Sequence, residues 1–417
     1  MRVALVSAHA SPLTLGGPAT GGQHTHVAAL AEALGRQGHD VRVYTRRDDP
    51  DAPGEVPFAE RVTVEHVTAG PPEPLPVDDL LAHMGDLGRA LSARWQDGDG
   101  PDVVHAHFWL SGLAALTATA DHRRPVIETY HGLGTVRRRV LKDRDTSPEP
   151  RIGLERTLGT LVDRVVAQCE DEVTELGRMG IRRADTVIIP SGVDGERFTA
   201  GGPVADRPRP GMRRILSVGP LVERKGFADL VEALRRVPGA ELVVVGGPDP
   251  ARLDRDPEAR RLMEFADRRG VGDRLRLVGA VPLEDLPGWY RSADVLACAP
   301  WYEPFGLTPL EAMSCGVPVV AYEVGGIAES VIDNVTGVLV PPRDTNALAA
   351  ALRGLLGDEV RRMSYASAAI DRVRSRYTWE RTATDLERVY AAVTGGTAGP
   401  ADEDADEDDE ALTDVSS

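Results

Sequence analysis

Two glutamates that could bind a polyol stand close together in the segment WYEPFGLTPLEAMSCGVPVVAYEVGGIAE. Glu303 precedes a predicted helix and Glu311 lies one to two turns inside it, so both side chains can face the same crevice. A carboxylate beside a helix N-terminus can accept two hydrogen bonds from the hydroxyls of a ribose or a hexose. A solvated helix face is the alternative for an isolated pair, but EPFG before it and CGVPVV after it favour a sugar site.

A pair of cations lies between a predicted strand and a predicted helix in VGPLVERKGFADLVEAL. Arg224 and Lys225 occupy the turn before the helix that begins near Phe227, and Lys142 is the only other lysine in the chain. Ligands of parallel α/β sheets bind beyond the carboxyl ends of the strands, which is where this turn lies. The pair therefore predicts one half of a pyrophosphate site, with a solvated helix start as the alternative.

A glycine-rich turn follows the first predicted strand and precedes a helix from about Gln23 to Gly35. The glycines of this turn are Gly16, Gly17, Gly21 and Gly22. Such a turn presents free N–H groups and the positive end of the helix dipole to an anion, with no Cβ in the way. The spacing is not GxGxxG, so it does not indicate a dinucleotide fingerprint, and a flexible loop is the alternative. If the turn binds phosphate, it faces the crevice from the side opposite to the cations.

The histidines and cysteines constrain acid–base and metal chemistry. All ten histidines lie between His9 and His131, so any proton transfer by histidine is expected from the first half of the chain. Cys169, Cys298 and Cys315 are few and far apart, which favours neither a disulfide framework nor a zinc site. No resident metal or cofactor is expected.

Composition limits the class of protein. The 417 residues are 42% apolar and 27% charged, which is typical of a globular protein of two domains. No apolar run approaches the roughly 18 residues that a membrane span needs, and the first residues lack the pattern of a secretory signal. We therefore expect a cytoplasmic protein without integral membrane association. The net charge is −17, and nine of the negative charges lie between Asp402 and Asp414, so the rest is mildly acidic and nucleic acid is not an expected partner.

Short apolar runs separated by helical or loop stretches predict two sets of strands. The runs of the first half are Val3 to Val6, Val41 to Thr45, Val103 to His107, Val126 to Thr129 and Val165 to Gln168. Those of the second half are Ile215 to Val218, Glu241 to Val245, Arg276 to Val278, Val295 to Ala297 and Val317 to Ala321. Apolar strands that alternate with helices indicate parallel sheets covered on both faces, so we predict an α/β protein of two doubly wound, Rossmann-like domains.

The predicted domains meet at a connection rich in proline and glycine. Gly195 to Gly211 contains GGPVADRPRPG, which suits an exposed hinge between residues 1–196 and residues 212–378. A last helix is predicted over residues 379–394. Residues 395–417 are acidic with almost nothing apolar to bury, so we expect a disordered tail that is either inert or a docking appendage.

The motifs around the glutamate pair resemble those of a known enzyme family. EPFGLTPLE, followed by CGVPVV and VGGIAE, is similar to the signature of the retaining glycosyltransferases of family 4, which have the GT-B fold. The likeness extends from Met1 to about Tyr390 through GGQ, HAHFWLSG, TYHG, RIGLE, PSGVD, RKG and PPRD. It implies two Rossmann-like domains that face each other across a cleft, with the acceptor bound by residues 1–196 and the nucleotide sugar by residues 212–378. It also implies that helix 379–394 crosses back to the first domain.

The family uses a nucleoside-diphosphate sugar as donor, and the resemblance implies which residues bind it. Gly21 and Gly22 would approach the diphosphate, and Lys225 would neutralise it. Glu311 would hold the donor ribose, and Glu303 would lie against the transferred sugar. The donor-binding set implied is Gly21, Gly22, Arg224, Lys225, Glu303, Phe305, Gly306, Leu307 and Glu311.

The resemblance also implies a mechanism. His131 would lie near the donor sugar and the acceptor, where it would orient hydroxyls and stabilise the transition state. The implied catalytic set is therefore His131, Glu303 and Lys225. The family retains the anomeric configuration by attack on the same face, with the leaving phosphate helping to take the acceptor proton. It needs no metal ion, because cationic groups stabilise the departing diphosphate.

One phosphate ligand of the family pattern is absent from this sequence. The family usually has Arg directly after the glycine that ends the first strand of the second domain, whereas here Pro220 follows Gly219. Arg224, four residues later, is the candidate replacement.

The acceptor side departs from the branch that this chain resembles most, which adds N-acetylglucosamine to inositol phosphate in the mycothiol pathway. In that branch a Lys, a Tyr, a Thr and an Arg hold the acceptor phosphate. The matching positions are Val77, Phe108, Gly132 and Arg151, which with Gln23 and His107 form the predicted acceptor-binding set. Only Arg151 keeps its charge, so we expect an acceptor without a phosphate at that point. A small polar metabolite, such as an intermediate of antibiotic or thiol biosynthesis, fits this expectation.

Two other functions stay open at this stage. An enzyme similar to the inositol-phosphate transferases or to sucrose and sucrose-phosphate synthases would share GGQ and the HAHFWLSG-like segment. A nucleotide-sugar-binding protein without catalysis would be compatible with Pro220 in place of the arginine. In each enzymatic case the partners are a nucleotide sugar and a small acceptor, and we expect a monomer or a homodimer whose domains close around the donor.

Overall fold

The computed structural model describes residues 1–14, 21–96, 100–207, 209 and 211–395, and in them the N-terminal domain contains an eight-stranded sheet. Its strands are β1 (Arg2–Val6), β2 (Asp40–Arg46), β3 (Glu55–Ala59), β4 (Val62–Val67), β5 (Val103–His107), β6 (Val126–Thr129), β7 (Arg164–Ala167) and β8 (Thr186–Ile188). Their order is β3-β4-β2-β1-β5-β6-β7-β8. Neighbouring strands are parallel, except that β3 pairs antiparallel with β4 at one edge.

The described part of the C-terminal domain contains a six-stranded, fully parallel sheet. Its strands are β9 (Arg213–Val218), β10 (Ala240–Val245), β11 (Leu275–Gly279), β12 (Val295–Cys298), β13 (Val319–Tyr322) and β14 (Gly337–Val340). Their order is β11-β10-β9-β12-β13-β14. Strand β10 is buried along its whole length, as its continuous apolar run requires.

Helices cover both faces of each sheet. They are α1 (Gly22–Arg36), α2 (Met84–Trp95), α3 (Trp109–Ala118), α4 (Gly134–Leu141), α5 (Arg151–Leu161), α6 (Glu170–Arg178), α7 (Phe227–Leu234), α8 (Pro257–Arg268), α9 (Leu286–Arg291), α10 (Leu307–Ser314), α11 (Gly326–Ser330), α12 (Thr345–Gly357), α13 (Glu359–Arg376) and α14 (Trp379–Thr394). Successive residues of β1 point to opposite faces of the sheet: Leu5 packs with α1, whereas Val6 packs with α2 and α3. No helix in the described part of the chain combines the length and apolar character of a bilayer crossing.

The last helix packs against the N-terminal domain although it follows the C-terminal sheet in sequence. Trp379, Leu386 and Tyr390 of α14 belong to the same buried cluster as Leu30 of α1. The hydroxyl of Tyr390 also lies 2.7 Å from Nδ1 of His105 in β5. The chain therefore crosses between the domains twice, and α14 contacts the N-terminal domain at α1 and β5.

The predicted α/β fold with two Rossmann-like domains is confirmed, and the ten predicted strands lie within two residues of observed ones. Strands β3, β4, β8 and β14 were missing from the prediction. Strand β8 has only three residues, and β3 is an edge strand with a proline, so neither has a long apolar run. The antiparallel β3 corrects the expectation of purely parallel sheets. Residues 195–207 contain neither helix nor strand, and residues 396–417, where the acidic tail was predicted, lie outside the described residues.

Candidate active site

A cleft of about 900 Å³ lies between the two domains, beyond the carboxyl ends of their strands. Residues that follow β1, β5 and β6 line it on one side, and residues that follow β9 and β12 line it on the other. The predicted site residues that line it are Gly21, Gly22, Gln23, Val77, Phe108, His131, Gly132, Arg151, Arg224, Lys225, Glu303 and Phe305. Those outside its described lining are His107, Gly306, Leu307 and Glu311.

Helix α1 points its N-terminus into the cleft. Gly21 is the N-cap residue, and its N–H donates to Nδ1 of His24 at 3.2 Å. The N–H groups of Gly22 and Gln23 belong to the first turn, where a helix offers no internal acceptor. The first turn of α1 can therefore present free donors to an anion.

The same turn lies directly against the opposite domain. A Cβ added to Gly22 would lie 3.6 Å from Cδ1 of Leu307 and 3.9 Å from Cδ2 of Phe305. These are ordinary van der Waals distances, so α1 lies in contact range of the segment that carries the glutamate pair, and a small side chain at position 22 would fit there. Gly16 and Gly17 lie outside the described residues.

Lys225 and Glu303 form an ion pair on the C-terminal wall of the cleft, with only 14% and 13% of their side chains exposed. Burial alone would raise the pKa of Glu303, but the charges of Lys225 and Arg224 outweigh it and hold that pKa below its ordinary value. Arg224 is exposed and has no ion pair with any residue that the structure describes. This wall therefore holds an ionised carboxylate, a paired lysine and a cation available to a ligand.

Glu311 lies outside the described lining of the cleft, although its side chain is partly exposed like that of Glu303. It occupies the second turn of α10, and its carboxylate accepts a hydrogen bond of 2.5 Å from the hydroxyl of Tyr290. Burial raises the pKa of Glu311 to about 7, although the hydrogen bond from Tyr290 opposes the shift. Gly306, the N-cap of α10, has φ of 74°, a left-handed conformation that favours glycine. Glu303 thus lines the cleft and pairs with Lys225, whereas Glu311 is hydrogen-bonded to Tyr290.

His131 stands at the centre of a buried histidine cluster on the N-terminal wall. Its backbone has φ of 58°, and its Nε2 lies 2.9 Å from Nδ1 of His107. Its ring is 5.0 Å from that of His26 and 5.2 Å from that of Phe305 across the cleft. Burial lowers the pKa values of His107 and His131 well below the ordinary value and that of His26 to about 3, so the cluster is neutral near pH 7. His131 is therefore suited to hydrogen bonding and unsuited to carrying a charge.

The same cluster is the group in the described residues whose spacing could hold a metal ion. One ring nitrogen each of His26, His107 and His131 lie within 4.8 Å of one another. Two of these rings already share the 2.9 Å hydrogen bond, and Nδ1 of His26 lies 2.9 Å from the hydroxyl of Ser191. One nitrogen of each ring is thus hydrogen-bonded, whereas Nε2 of His107 and Nδ1 of His131 are buried without a partner among the described residues. The expectation of no metal stays a prediction.

Arg151 lines the cleft, but its guanidinium is committed to neighbouring groups. It is 3% exposed, and its Nε donates to Glu155 at 2.7 Å. Its other nitrogens donate to the carbonyl of Gly132 at 2.9 Å and the hydroxyl of Ser147 at 3.2 Å. The guanidinium carbon lies 5.2 Å from the centre of the Phe108 ring. The charge that sequence reasoning assigned to an acceptor phosphate is therefore neutralised inside the protein.

The remaining acceptor-side residues have different surroundings. The side-chain amide of Gln23 donates to the carbonyl of His107 at 3.2 Å and the hydroxyl of Ser7 at 3.3 Å, so it ties loops together. Val77 begins a 3-10 helix over Val77–His83 and is 38% exposed to the cleft.

A cross-cleft contact was missed by sequence reasoning. Arg144 of the N-terminal domain forms an ion pair with Glu223, directly before the predicted Arg224. The guanidinium of Arg144 also lies 5.2 Å from the ring of Trp301, whose centre is 4.4 Å from Arg343. Nothing in the spacing of these distant residues indicates that they meet. His26, by contrast, follows Gln23 by three positions on α1, so helical periodicity could have placed it at the site.

Comparisons with known proteins cover nearly all of the chain. A family model described as Glycosyltransferase Family 4 matches residues 20–197, and one described as Glycosyl transferases group 1 matches residues 206–372. The chain is 37% identical over 411 residues to the D-inositol 3-phosphate glycosyltransferase of Geodermatophilus obscurus, covering 94% of this chain and 89% of the relative. It is 36% identical to the protein of that name from Xylanimonas cellulosilytica, covering 94% and 97%.

Solved structures give the same picture. Sucrose-phosphate synthase from Thermosynechococcus elongatus is 32% identical with a TM-score of 0.86, covering 95% of this chain and 99% of that one. The Anabaena protein HepE, solved with UDP and glucose, is 19% identical with a TM-score of 0.72, covering 94% and 100%. With relatives above 30% identity over nearly its whole length, the chain belongs to glycosyltransferase family 4 and has the GT-B fold.

Proposed function

We propose that this glycosyltransferase moves a sugar from a nucleoside diphosphate to a small acceptor without a phosphate, with retention of configuration and without a metal ion. The observation that carries the proposal is the arrangement of Arg224, Lys225 and Glu303 on one wall of the cleft, opposite His131 and the N-terminus of α1. The C-terminal side of this cleft suits an anionic donor, and the N-terminal side suits a neutral acceptor.

The donor diphosphate would lie between the two walls. Arg224 and Lys225 would offset its charge from one side, and the first amides of α1 would donate to it from the other. Arg224 takes the place of the arginine that Pro220 replaces in the family pattern. When the donor is bound, the ammonium group of Lys225 would interact with both Glu303 and the phosphate. It could then move toward the diphosphate as negative charge develops on that leaving group. Structural relatives that bind UDP and glucose support a nucleotide donor.

His131 would act as a neutral hydrogen-bonding group beside the reacting carbon. Its depressed pKa means that no proton needs to be removed from it before it accepts a hydrogen bond near pH 7. The acceptor proton would pass to the leaving phosphate, as same-face attack requires. Glu311 accepts the hydrogen bond of Tyr290 on one carboxylate oxygen, so its other oxygen would be free to accept from a ribose hydroxyl.

The phosphate-free acceptor separates this proposal from the activity in the names of the relatives. Val77, Phe108 and Gly132 supply no charge, and Arg151 is already paired with Glu155. An added phosphate would have to compete with that buried carboxylate for the guanidinium. A role in natural-product or antibiotic assembly, a cytoplasmic location and a monomeric or dimeric state stay predictions from the sequence.

A donor screen tests the proposal. The full chain is mixed with UDP-, GDP-, ADP- and dTDP-sugars, and thermal shift and nucleotide release are measured with and without EDTA. We expect one nucleotide to stabilise the protein and its sugar to be released slowly to water, unchanged by EDTA, with NMR showing a product of retained configuration. Binding without any nucleotide release would instead support the non-catalytic alternative, and loss of release on chelation would contradict metal independence.

A further inference from the structure

Part of the N-terminal wall of the cleft is lined by hydrocarbon side chains. Two segments contribute to this part, the one that leads into the 3-10 helix at Val77–His83 and helix α4, together with one aromatic ring. We call this surface the apolar wall, and its side chains are Leu75, Val77, Phe108, Val140 and Leu141. Leu75, Phe108 and Val140 rest on the N-terminal core, so the surface is firmly supported. A surface of this kind gains free energy when an apolar ligand removes it from water.

Four arginines line the cleft near the apolar wall, and each has a partner; Arg144 pairs with Glu223 of the opposite domain. The guanidinium of Arg46 donates to the carbonyls of Pro71 and Glu73 at 2.7 and 2.6 Å. Arg137 pairs with Asp145 at 2.9 Å, and Arg151 is held by Glu155 as described above. Recruiting one of them for an anionic acceptor would break these bonds, although Asp145 would keep its bonds from Ser147 and Glu155 would keep those from the Gly134 N–H.

Two further groups at this wall add to the same picture. Asp48 lines the cleft and brings a negative charge. His9 packs edge-on against Phe108 with ring centres 4.9 Å apart, and burial lowers its pKa to about 4, so it is neutral. Its Nδ1 is buried without a hydrogen-bond partner in the described residues, which makes it a candidate partner for an acceptor hydroxyl. In the described part of the chain, this side of the cleft thus offers hydrocarbon and neutral hydrogen-bonding groups, and its arginines already have partners.

We propose that the acceptor is uncharged at this end and carries an aryl ring or a short alkyl chain that packs on the apolar wall beside its reacting hydroxyl. The inference rests on the proposed function, since it takes the C-terminal wall as the donor side. Contacts with the apolar wall define the acceptor class, because an inositol phosphate has no aryl or alkyl group that could make them.

A matched pair of acceptors tests this inference. The full chain and its best nucleotide sugar are supplied with methyl β-D-glucoside, phenyl β-D-glucoside or D-inositol 3-phosphate, and product formation and nucleotide release are both recorded. We expect kcat/KM for the phenyl glycoside to exceed that for the methyl glycoside about tenfold, with the inositol phosphate below both. If neither glycoside is glycosylated, the phenyl compound should still suppress release of the sugar to water at about tenfold lower concentration.

A substitution in the apolar wall then tests whether this surface causes the preference for the phenyl glycoside over the methyl glycoside. Val77→Lys should reduce the phenyl-to-methyl ratio about fivefold or more, whereas Val204→Lys, at an exposed position outside the cleft lining, should leave it unchanged. Equal use of the two glycosides, or preference for the inositol phosphate, would overturn the inference while nucleotide release still upheld the proposed function. Absence of nucleotide release from every donor would overturn both.

Discussion

The two walls of the cleft treat their charged residues differently. On the C-terminal wall, Arg224 has no ion pair within the described residues, and Lys225 shares a partly exposed pair with Glu303. On the N-terminal wall, Arg151 is buried and bonded to Glu155, Gly132 and Ser147. A count of basic residues would make both walls anion sites. Arg224 is thus open to a ligand, Lys225 can bind one by sharing its charge with Glu303, and Arg151 would have to give up buried hydrogen bonds.

Removal of the donor-side lysine should have the largest effect. Lys225→Ala takes away the charge that offsets the departing diphosphate, so we expect kcat for nucleotide release to fall about 10³-fold or more. Lys142→Ala, at the other lysine, should leave it unchanged because Lys142 is exposed and outside the cleft lining. Thermal melting checks that both variants are folded. Turnover of Lys225→Ala within tenfold of the unsubstituted chain would remove the distinction between the walls.

Replacement of the paired arginine should act on stability. Arg151→Met leaves Glu155 buried without its partner, and we expect the free energy of unfolding to fall by about 3 to 5 kcal/mol in urea titrations. Arg156→Met on the same helix is the control, because Arg156 is exposed. A stable Arg151→Met variant with weakened binding of an acceptor anion would show that this arginine is a ligand after all.

Loss of the unpaired arginine should weaken donor binding. Arg224→Ala is expected to raise the Kd for the preferred nucleotide sugar about tenfold to hundredfold without changing the melting temperature, since Arg224 holds no ion pair in the described structure. The exposed Arg252, outside the cleft lining, is the matched control. Calorimetric titration measures both affinities. Unchanged affinity in Arg224→Ala would mean that nothing replaces the arginine lost at Pro220.

The smallest effect concerns a buried carboxylate of the N-terminal domain. Both side-chain oxygens of Glu128 lack a hydrogen-bond partner among the described residues, and burial, reinforced by Glu155 and Glu172, raises its pKa well above the ordinary value. The folded state therefore favours the neutral, protonated form of Glu128. Stability is therefore fully present below pH 4.5 and declines as the pH rises toward the folded-state pKa.

Glu128→Gln isolates this contribution. The amide cannot ionise, so the variant should gain about 1 to 2 kcal/mol in free energy of unfolding at pH 8 and little near pH 4.5. Glu149→Gln, at an exposed position, should show no such pH dependence. Equal effects at both pH values would indicate that Glu128 has a partner in solution.

Much of the framework could be predicted from local sequence patterns. The runs Val103 to His107 and Val126 to Thr129 coincide with β5 and β6, because buried parallel strands are continuous apolar segments. The cleft residues Lys225, Glu303 and His131 follow strands of the predicted sheets, so their position at one edge follows from topology. What the patterns could not give is the partner of a charged residue when that partner lies on a separate element.

The contacts at the site differ in how far the sequence indicates them. Arg151 and Glu155 are four residues apart, so their pairing within a helix was readable from RIGLE. The bond between Tyr290 and Glu311, and the contact of Arg144 with Trp301, join residues from separate elements. Such contacts depend on tertiary packing, which a single sequence does not display.

The central claim is that one wall binds an anionic donor while the other has no place for an anionic acceptor. Nucleotide release from the preferred sugar donor, measured with and without saturating D-inositol 3-phosphate, tests it most directly. We expect the same slow release of nucleotide in both conditions and no transfer of sugar to the inositol phosphate. Acceleration by about a hundredfold or more, with a glycosylated inositol phosphate as product, would contradict it.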